Sequence, residues 1–342
     1  MDPELNDLLL GASTTAISEF ELTYESSVYA ELSEEAVEPT GFKKYFAQAK
    51  NGRFERFRGQ MDFSGVTERD YSIITDVFKF GREIQRAKWD QLMAYLRANL
   101  PAMMSDAAAE EMALRDELYT KLLDTAVAGG TVPNLYSDTT FFGAVQMPGS
   151  GNPVVTNNNR INGGVLDATN LRAALYRAKE RLSQFAFSNG RKYFNPGMIQ
   201  GDLRIMYPTT QKMMQLIDEN IDTGQVTASQ TVPRLRGYQI RPNSLFDDQA
   251  YSNLNGHGAN AAGGILVYRP VTNRLKLLQT VRRREGVQIE TNLPPNQAAA
   301  DSVFATEGVI ERERYIFAAR TEIEAGYGSP LQAVWIDFTN IR

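Results

Sequence analysis

The sequence predicts an α+β fold in which helices dominate the first two thirds of the chain and strands dominate the rest. Apolar residues recur at helical spacing in four segments before residue 222. From residue 232 onward the pattern is mostly short strands and turns, and two more strand-like runs lie between residues 53 and 84. At 342 residues the chain is too long for one simple core, which predicts two compact units or one unit with large insertions.

The longest helix is predicted over about residues 105–128. Ser105 or Asp106 suits its N-cap, and two glycines, Gly129 and Gly130, follow its last turn. A separate helix is predicted over residues 89–100, because proline follows it and proline ends helices. The apolar stripe of the longest helix consists of Ala108, Met112, Tyr119, Leu122 and Ala126.

Two shorter helices and a series of strands follow. "DATNLRAALYRAKERLSQF" predicts a helix capped by Asp167 or Thr169, and "TTQKMMQLIDENI" predicts another that begins at Thr209 or Thr210. The first of these is expected to bury Leu171, Ala174, Leu175, Ala178 and Leu182. Strands are predicted in "DLRIMYP", "YQIRPNSLF", "GGILVYRP", "LKLLQTVR", "VQIETNL", "RERYIFAARTEIEAGYG" and "QAVWIDF".

A β-hairpin is predicted upstream of the helices, from "RFERFRGQMDF" (residues 53–63) and "YSIITDVFKFGREI" (residues 71–84). In its first strand Phe54 and Phe57 fall on opposite faces, so neither face is cleanly apolar. A two-stranded ribbon of this kind is not stable alone. We therefore expect another surface to cover it on both sides.

Charge is divided unevenly near the N-terminus. Residues 1–40 hold ten acids and no lysine or arginine, whereas residues 41–60 hold six bases and one acid. The chain as a whole has a formal net charge of −5. An acidic arm followed by a basic one is typical of surfaces that guide a partner and fix its register, because exposed pairs add little affinity, about 0.2–1 kcal/mol each.

The basic stretch also has an aromatic character. Arginines and phenylalanines interleave at Arg53, Phe54, Arg56, Phe57 and Arg58, a pattern found where proteins grip single-stranded nucleic acid. One interpretation is therefore a nucleic-acid-binding protein that uses residues 43–58. The acidic balance of the chain, with a pI of about 5.3, argues against it, since a dedicated binder usually has a dominant basic face.

Most catalytic chemistries lack their residues here. The chain has no cysteine, a single histidine, His257, and no phosphate-binding loop, nucleophile elbow or metalloprotease motif. We expect no enzyme activity, no metal and no cofactor; a cytoplasmic enzyme with a carboxylate-based site is the weaker alternative. No apolar run is long enough to span a membrane, and the acids in "MDPELNDLLLGAS" argue against a secretory signal, which predicts a cytoplasmic origin.

The remaining function class is self-association. Neighbouring copies of the chain would account for three features: a hairpin that must be covered, a charged arm without its own core, and a centre without catalytic groups. When an arm of one subunit covers a face of the next, the contact repeats until a ring or shell closes.

The order of these elements resembles that of tailed-phage major capsid proteins with the Hong Kong 97-like fold, and most nearly the Mu-like phage major head subunit family. The stretches that carry the resemblance are "ELYTKLLDTAVAGG…LYSDTTFFGA" (117–144), "LDATNLRAALYRAKE" (166–180), "NPGMIQGDLRIMYPTTQKMMQLI" (195–217) and "FAARTEIEAGYGSPLQAVWIDF" (317–338). The long scaffolding extension that some relatives carry before the arm is missing from residues 1–50.

The resemblance implies a division of the chain into four parts. Residues 1–50 would form an N-terminal arm and residues 51–88 an extended loop. A peripheral domain would combine residues 89–160 with 281–342 and contain the long spine helix, and residues 161–280 would form an axial domain.

The resemblance also implies partners and a location. Copies would form the pentamers and hexamers of an icosahedral shell around double-stranded DNA, in a virion assembled in the host bacterial cytoplasm. A separate scaffold protein, a portal and a decoration protein are the implied partners; packaged DNA is contacted weakly and no membrane is involved. The implied contacts between subunits join Arg53, Phe54, Arg56, Phe57 and Arg58 to Glu110, Glu111 and Asp116 of the long helix or to the acidic arm.

Overall fold

The computed structural model describes residues 28–48, 68–84, 89–145, 157–187, 190–194, 203–221, 238–247, 260–271, 276–284, 288–291 and 315–341. The helices in these ranges are α1 (Trp89–Val127), α2 (Ala168–Gln184) and α3 (Gln211–Ile221). The strands are β1 (Ser33–Val37), β2 (Phe42–Gln48), β3 (Glu68–Ile74), β4 (Asp76–Ile84), β5 (Arg160–Val165), β6 (Leu203–Pro208), β7 (Tyr238–Asn243), β8 (Gly264–Tyr268), β9 (Leu278–Arg282), β10 (Gln288–Thr291), β11 (Tyr315–Tyr327) and β12 (Ala333–Thr339).

One five-stranded sheet is organised around the long strand β11. Antiparallel partners of β11 are β4 along residues 315–323, β10 along residues 317–320 and β9 along residues 323–327. Near the start of the described chain, β1 adds to the far side of β9 in parallel, with Ser33 opposite Leu278. The N-terminal strand is therefore joined to strands from the last quarter of the chain.

The second five-stranded sheet has the order β5-β12-β8-β6-β7. Its outer pairs, β5 with β12 and β6 with β7, are parallel, and its inner pairs are antiparallel. The predicted division of the chain assigns residues 281–342 to the other unit, but β12 lies inside this sheet. The C-terminal strand therefore ties the two predicted domains together.

Two layers cover the two faces of the second sheet. Because side chains alternate along a strand, Ile205 of β6 packs in the core beside α2 and α3, whereas Met206 packs on the opposite face. On that opposite face Trp335 is fully buried near Phe142 and Phe246, with ring centroids 5.8 and 6.3 Å apart. The C-terminal half of α1 belongs to this second core.

Helix α1 corrects the prediction of two helices. It runs through Pro101 without a break for 39 residues, so Ser105 and Asp106 lie inside it and are not N-caps. Proline removes one backbone hydrogen bond from a helix interior. Here Pro101 is exposed while Leu100, Met103 and Met104 are buried, and this burial offsets the lost bond. The predicted end is confirmed: Gly129 has a φ of 83° just after the last turn.

Helix α2 confirms its prediction in detail. Asp167 is the N-cap, and its side chain accepts a 2.7 Å hydrogen bond from the Asn170 amide. The five residues of the predicted stripe are the buried ones: Leu171, Ala174, Leu175, Ala178 and Leu182. Helix α3 and strands β6 to β11 also fall within the segments predicted for them, and β12 extends one residue beyond its segment, to Thr339.

The predicted hairpin differs from the observed pairing. The stretch 71–84 is not one strand: the chain turns at Thr75, whose amide donates to the Gly41 carbonyl at 2.9 Å. Before that point β3 pairs with β2, and after it β4 pairs with β11. The ribbon partner is thus residues 42–48, which the prediction placed in the arm, whereas residues 53–63 lie outside the described residues.

Candidate subunit interface

The two-stranded ribbon of β2 and β3 lies outside both large sheets and has two distinct faces. Its register runs from Phe42 opposite Ile74 to Gln48 opposite Glu68. Alternation along the strands sends Tyr45 and Ile73 into the core. The other face, formed by Phe42, Lys44, Phe46, Asp70, Ser72 and Ile74, is exposed throughout.

The inner face is held against the first sheet at a glycine. The Tyr71 hydroxyl accepts a 3.1 Å hydrogen bond from the Tyr327 amide. A Cβ on Gly326 would lie 2.5 Å from that hydroxyl oxygen and 2.7 Å from the Ile73 Cδ1 atom. Only glycine allows the ribbon to approach the β11 backbone this closely. The ribbon is therefore fixed at its base.

Three of the six residues on the exposed face are apolar, and we call these three, Phe42, Phe46 and Ile74, the outer ribbon face. Their exposed fractions are 45%, 61% and 66%. Together with Val37 and Val77, they make up five of the eight exposed large hydrophobic residues among those that the structure describes. Lys44 forms an ion pair with Asp70 across the strands and lies 5.4 Å from the Phe46 ring centroid. Such a concentration of exposed apolar side chains is typical of a protein contact surface.

The basic aromatic strip that prompted the interface prediction, Arg53, Phe54, Arg56, Phe57 and Arg58, lies outside the described residues. In the sequence it lies between β2 and β3.

A groove runs between α1 and the edge strand β4. Its volume is about 220 Å³, and its walls include Phe78 and Lys79 on one side and Glu110, Leu114 and Glu117 on the other. Burial and the nearby Glu110 charge raise the pKa of the Glu117 carboxyl above its ordinary value. We call Glu110 and Glu117 the groove acids. A cation placed between them would relieve their repulsion.

Of the three predicted acids on the long helix, Glu110 is exposed on this groove, while Asp116 and Glu111 face other parts of the subunit. Asp116 is half-buried near Tyr29; burial, and to a smaller extent the Asp116 charge, raise the pKa of the Tyr29 hydroxyl. Glu111 borders the groove but is only 3% exposed. Its carboxylate is therefore engaged inside its own subunit.

The partners of Glu111 form a buried ion-pair network. Its Oε1 atom is 2.5 Å from an Arg282 nitrogen and 3.5 Å from an Arg115 nitrogen. A second carboxylate, Glu35 of β1, pairs with the same two arginines at 3.2 and 2.7 Å. The Thr321 hydroxyl also donates to Glu111, at 3.2 Å. Two acids and two bases thus join β1, α1, β9 and β11.

Electrostatics at Glu35 follow from this arrangement. Burial alone would raise the pKa of its carboxyl, but hydrogen bonds and charge from Arg115 and Arg282 hold it below its ordinary value. Burial would likewise lower the pKa of Arg115, and Glu35 instead raises it. Both groups are therefore charged in the folded subunit at neutral pH.

A second set of polar contacts holds the residues just before β1. The Glu31 carboxylate accepts from Arg241 at 2.9 Å and from the Tyr268 hydroxyl at 2.7 Å, and it pairs with Arg204. Tyr29 is buried and accepts a 2.6 Å hydrogen bond from the Asn243 amide nitrogen. The described part of the predicted arm is thus anchored to both sheets of its own subunit.

One charged region was not recognised in the sequence. Residues 157–194 hold seven lysines and arginines and two acids, a net charge of +5 within a chain of net −5. Most of these bases lie on or beside α2. A charge count in moving windows over the whole chain, rather than over the N-terminal arm alone, would have detected the region.

Within the ranges that the structure describes, no group of three or more histidine, cysteine, aspartate or glutamate side chains is arranged to hold a metal ion. In the same ranges, no helix has the length and apolar character needed to cross a membrane. The single histidine, His257, falls outside them.

The fold resembles that of phage capsid subunits. The chain matches a protein in the mature capsid of bacteriophage PhiM1 with a TM-score of 0.51 and 14% sequence identity, covering 92% of this chain and 87% of that one. Looser matches are the capsids of cyanophage P-SCSP1u (TM-score 0.48, 12% identity, 92% and 88% covered) and cyanophage Pam1 (0.46, 12%, 91% and 92%). No protein-family model and no curated protein matches the sequence. The chain therefore has a capsid-like α+β fold.

Proposed function

We propose that the protein is the major capsid subunit of a tailed bacteriophage, with the Hong Kong 97-like fold and closest to the Mu-like head subunits. Copies assemble as pentamers and hexamers into an icosahedral shell that encloses double-stranded DNA. The subunit is structural and has no catalytic role. Its place is the virion capsid, which is assembled in the host bacterial cytoplasm.

The outer ribbon face is the observation that carries this proposal. A two-stranded ribbon with one face on its own subunit and an apolar face in solvent is marginal by itself. Covering Phe42, Phe46 and Ile74 with a sister subunit would remove that apolar area from water, at about 25 cal/mol per Å². The capsid-like fold and the uncovered face of the ribbon together favour repeated contacts between copies of the chain.

Charge then sets the register of the contact. We propose that Arg53, Arg56 and Arg58 of one subunit pair with the groove acids of the next. Phe54 and Phe57 would pack against apolar side chains beside those acids. Glu110 is exposed and Glu117 has a raised pKa, so both acids gain from a nearby cation. This revises the predicted contact set: Glu110 is kept and Glu117 is added, while the buried Glu111 and the half-buried Asp116, which lies outside the groove, are left out.

The wider assembly follows the same proposal. Residues 1–50 serve as the arm, 51–88 with the preceding strand β2 as the extended loop, 89–160 and 281–342 as the peripheral domain, and 161–280 as the axial domain around the five-fold and six-fold axes. A separate scaffold protein and a portal take part in assembly, and a decoration protein is an additional partner. Packaged DNA is contacted weakly.

Assembly of a ribbon variant tests the proposal. Phe46→Thr with Ile74→Thr removes apolar area but keeps residues that suit a strand. We expect a folded subunit whose contacts are weakened by about 3 kcal/mol, because partial burial of two large side chains is lost. The readouts are light scattering and negative-stain microscopy, in which wild-type protein should form ring-sized or shell-sized particles.

Val165→Thr provides the matched control, since Val165 is also apolar and 52% exposed but lies on β5. Particles should form normally with this variant. Circular dichroism and urea unfolding should show that all three proteins are folded. Normal shells from the ribbon variant, or a wild-type protein that stays monomeric at every concentration, would contradict the proposal.

A further inference from the structure

The contacts proposed between shell subunits do not involve the basic residues around α2. Residues 157–194 have a net charge of +5, so the remainder of the chain has a net charge of −10. Such segregation costs repulsion among the bases. An anionic partner would relieve this repulsion.

Helix geometry places the bases on the outer side of α2. The stripe that includes Leu171, Ala174 and Ala178 faces the core, so Arg177 and Arg181 lie on the solvent side, one turn apart. Arg177 is exposed and Arg181 is half-buried. We call Arg177 and Arg181 the basic helix face.

A polar cleft of about 370 Å³ lies between this helix and β5. Its walls are formed by Arg160, Ile161, Asn162, Arg177, Glu180, Arg181 and Gln184. Asp337 holds the Arg160 guanidinium by two hydrogen bonds of 2.7 and 2.9 Å, which fixes that wall. Ile161 is the one apolar residue among these seven.

The acids near the cleft leave two guanidinium groups available. Asp337 is engaged by Arg160, and Glu180 accepts a 3.1 Å hydrogen bond from Gln184. Among the residues that the structure describes, Arg177 and Arg181 have no ion-pair partner. Arginine forks one helical turn apart, about 6 Å along the axis, can each donate to a separate anionic oxygen.

We infer that this cleft and the basic helix face bind the phosphate backbone of nucleic acid without reading its sequence. Arginine, lysine, asparagine and glutamine are among the side chains that contact phosphates and sugars, and the cleft supplies Arg177, Arg181, Asn162 and Gln184. The identity of the anion as enclosed DNA rests on the proposed function. The inference adds the surface that makes the contact.

The acidic N-terminal segment of another copy is the competing occupant, because residues 1–27 carry six acids and no base. That segment also contains Leu8, Leu9 and Leu10, which would need an apolar groove. The cleft offers a single apolar side chain, so it fits a hydrophilic polyanion better. Within the same subunit, Tyr29 and Trp335 belong to the core on the other face of the second sheet, so the described start of the arm lies away from the cleft.

Binding of a labelled duplex tests the inference. Anisotropy of fluorescein-labelled DNA of about 30 base pairs should report weak binding by wild-type protein that declines as salt rises from about 50 to about 200 mM. Arg177→Gln with Arg181→Gln should bind at least about tenfold more weakly at the lower salt. The slope of log affinity against log salt should fall by about 2, since each phosphate contact contributes about 0.9.

Two control variants test whether DNA binding depends on the position of the arginines or only on the net charge of the protein. Lys121→Gln with Lys212→Gln removes the same charge from other helices and should leave the affinity within about twofold of wild type. Arg177→Lys with Arg181→Lys keeps the charge and should retain most of the binding. Equal affinity of wild type and the Arg-to-Gln variant would overturn the inference.

A synthetic peptide of residues 1–27 distinguishes the competing occupant. If that peptide binds through Arg177 and Arg181 while the duplex does not bind, the surface is a docking site for the arm and the inference fails. Negative-stain microscopy separates this failure from failure of the shell proposal. The Arg-to-Gln variant should form normal particles, and a wild-type protein without particles contradicts the proposed function whatever the DNA result.

Discussion

Two adjacent glutamates on α1, Glu110 and Glu111, point about 100° apart around the helix axis and meet different surroundings. Glu110 is exposed on a groove where another acid is its neighbour, whereas Glu111 is 3% exposed and paired with two arginines of its own subunit. The same side chain therefore stabilises the subunit at one position and is free to recognise a partner at the next. Folding and assembly can be separated by changing one or the other.

The largest expected effect comes from removing the buried charge. Glu111→Gln leaves Arg115 and Arg282 with Glu35 as their remaining carboxylate in the network, and an uncompensated buried charge is costly. We expect the free energy of unfolding to fall by about 3 kcal/mol. Urea unfolding followed by circular dichroism measures this change.

Glu110→Gln is the matched control, with identical chemistry one residue away. Because Glu110 is exposed, its replacement should change the unfolding free energy by no more than about 0.5 kcal/mol. Equal destabilisation by the two substitutions would show that burial does not distinguish these acids.

Lowering the pH should weaken the same ion-pair network by protonating its other carboxylate, Glu35. The folded pKa of Glu35 is lowered, so its contribution is fully present above its ordinary value of 4.5 and is lost as pH falls below that value. Wild-type protein should therefore lose urea resistance as the pH falls from about 5 to about 3. Glu35→Gln should be less stable at pH 6 and should lose less over this interval. Parallel pH profiles for the two proteins would contradict the assignment.

The contrast also explains what the sequence could and could not reveal. Helix α2 was predicted with its five-residue buried stripe and two candidate caps, one of which, Asp167, is the N-cap, because capping and the stripe are local patterns. The pairing of the ribbon was predicted wrongly. Strand β3 pairs with residues 42–48, and the register between distant segments has no local signal in the sequence. For the same reason Pro101 was read as a helix end, although burial on both sides keeps α1 continuous.

The candidate interface shows the same limit. The acids of α1 were recognised as a group, but which of them faces solvent depends on the rotation of the helix against β9 and β11. That rotation is set by partners such as Arg282 and Thr321, which lie about 170 and 210 residues away. A charge pattern in sequence thus identifies candidate contacts, and tertiary packing selects among them.

The smallest effect on folding, and a decisive one on assembly, is expected from the basic strip and the groove acids. Arg53→Glu with Arg56→Glu and Arg58→Glu should leave the subunit folded and block particle formation, because like charges would face each other across the contact. Exposed pairs contribute only about 0.2–1 kcal/mol each, but in the proposed shell the contact would repeat in every subunit.

A charge swap distinguishes docking from a general charge effect. Adding Glu110→Lys and Glu117→Lys to the triple variant restores opposite charges across the proposed contact and should recover part of the particles seen by negative stain. Adding Asp116→Lys and Asp138→Lys changes the net charge equally at acids outside the groove and should not. Recovery with both pairs would mean that overall charge, and not the groove, controls assembly. Recovery with the groove pair alone would show that the strip contacts the groove acids of α1, because only then do the two sets of reversals compensate.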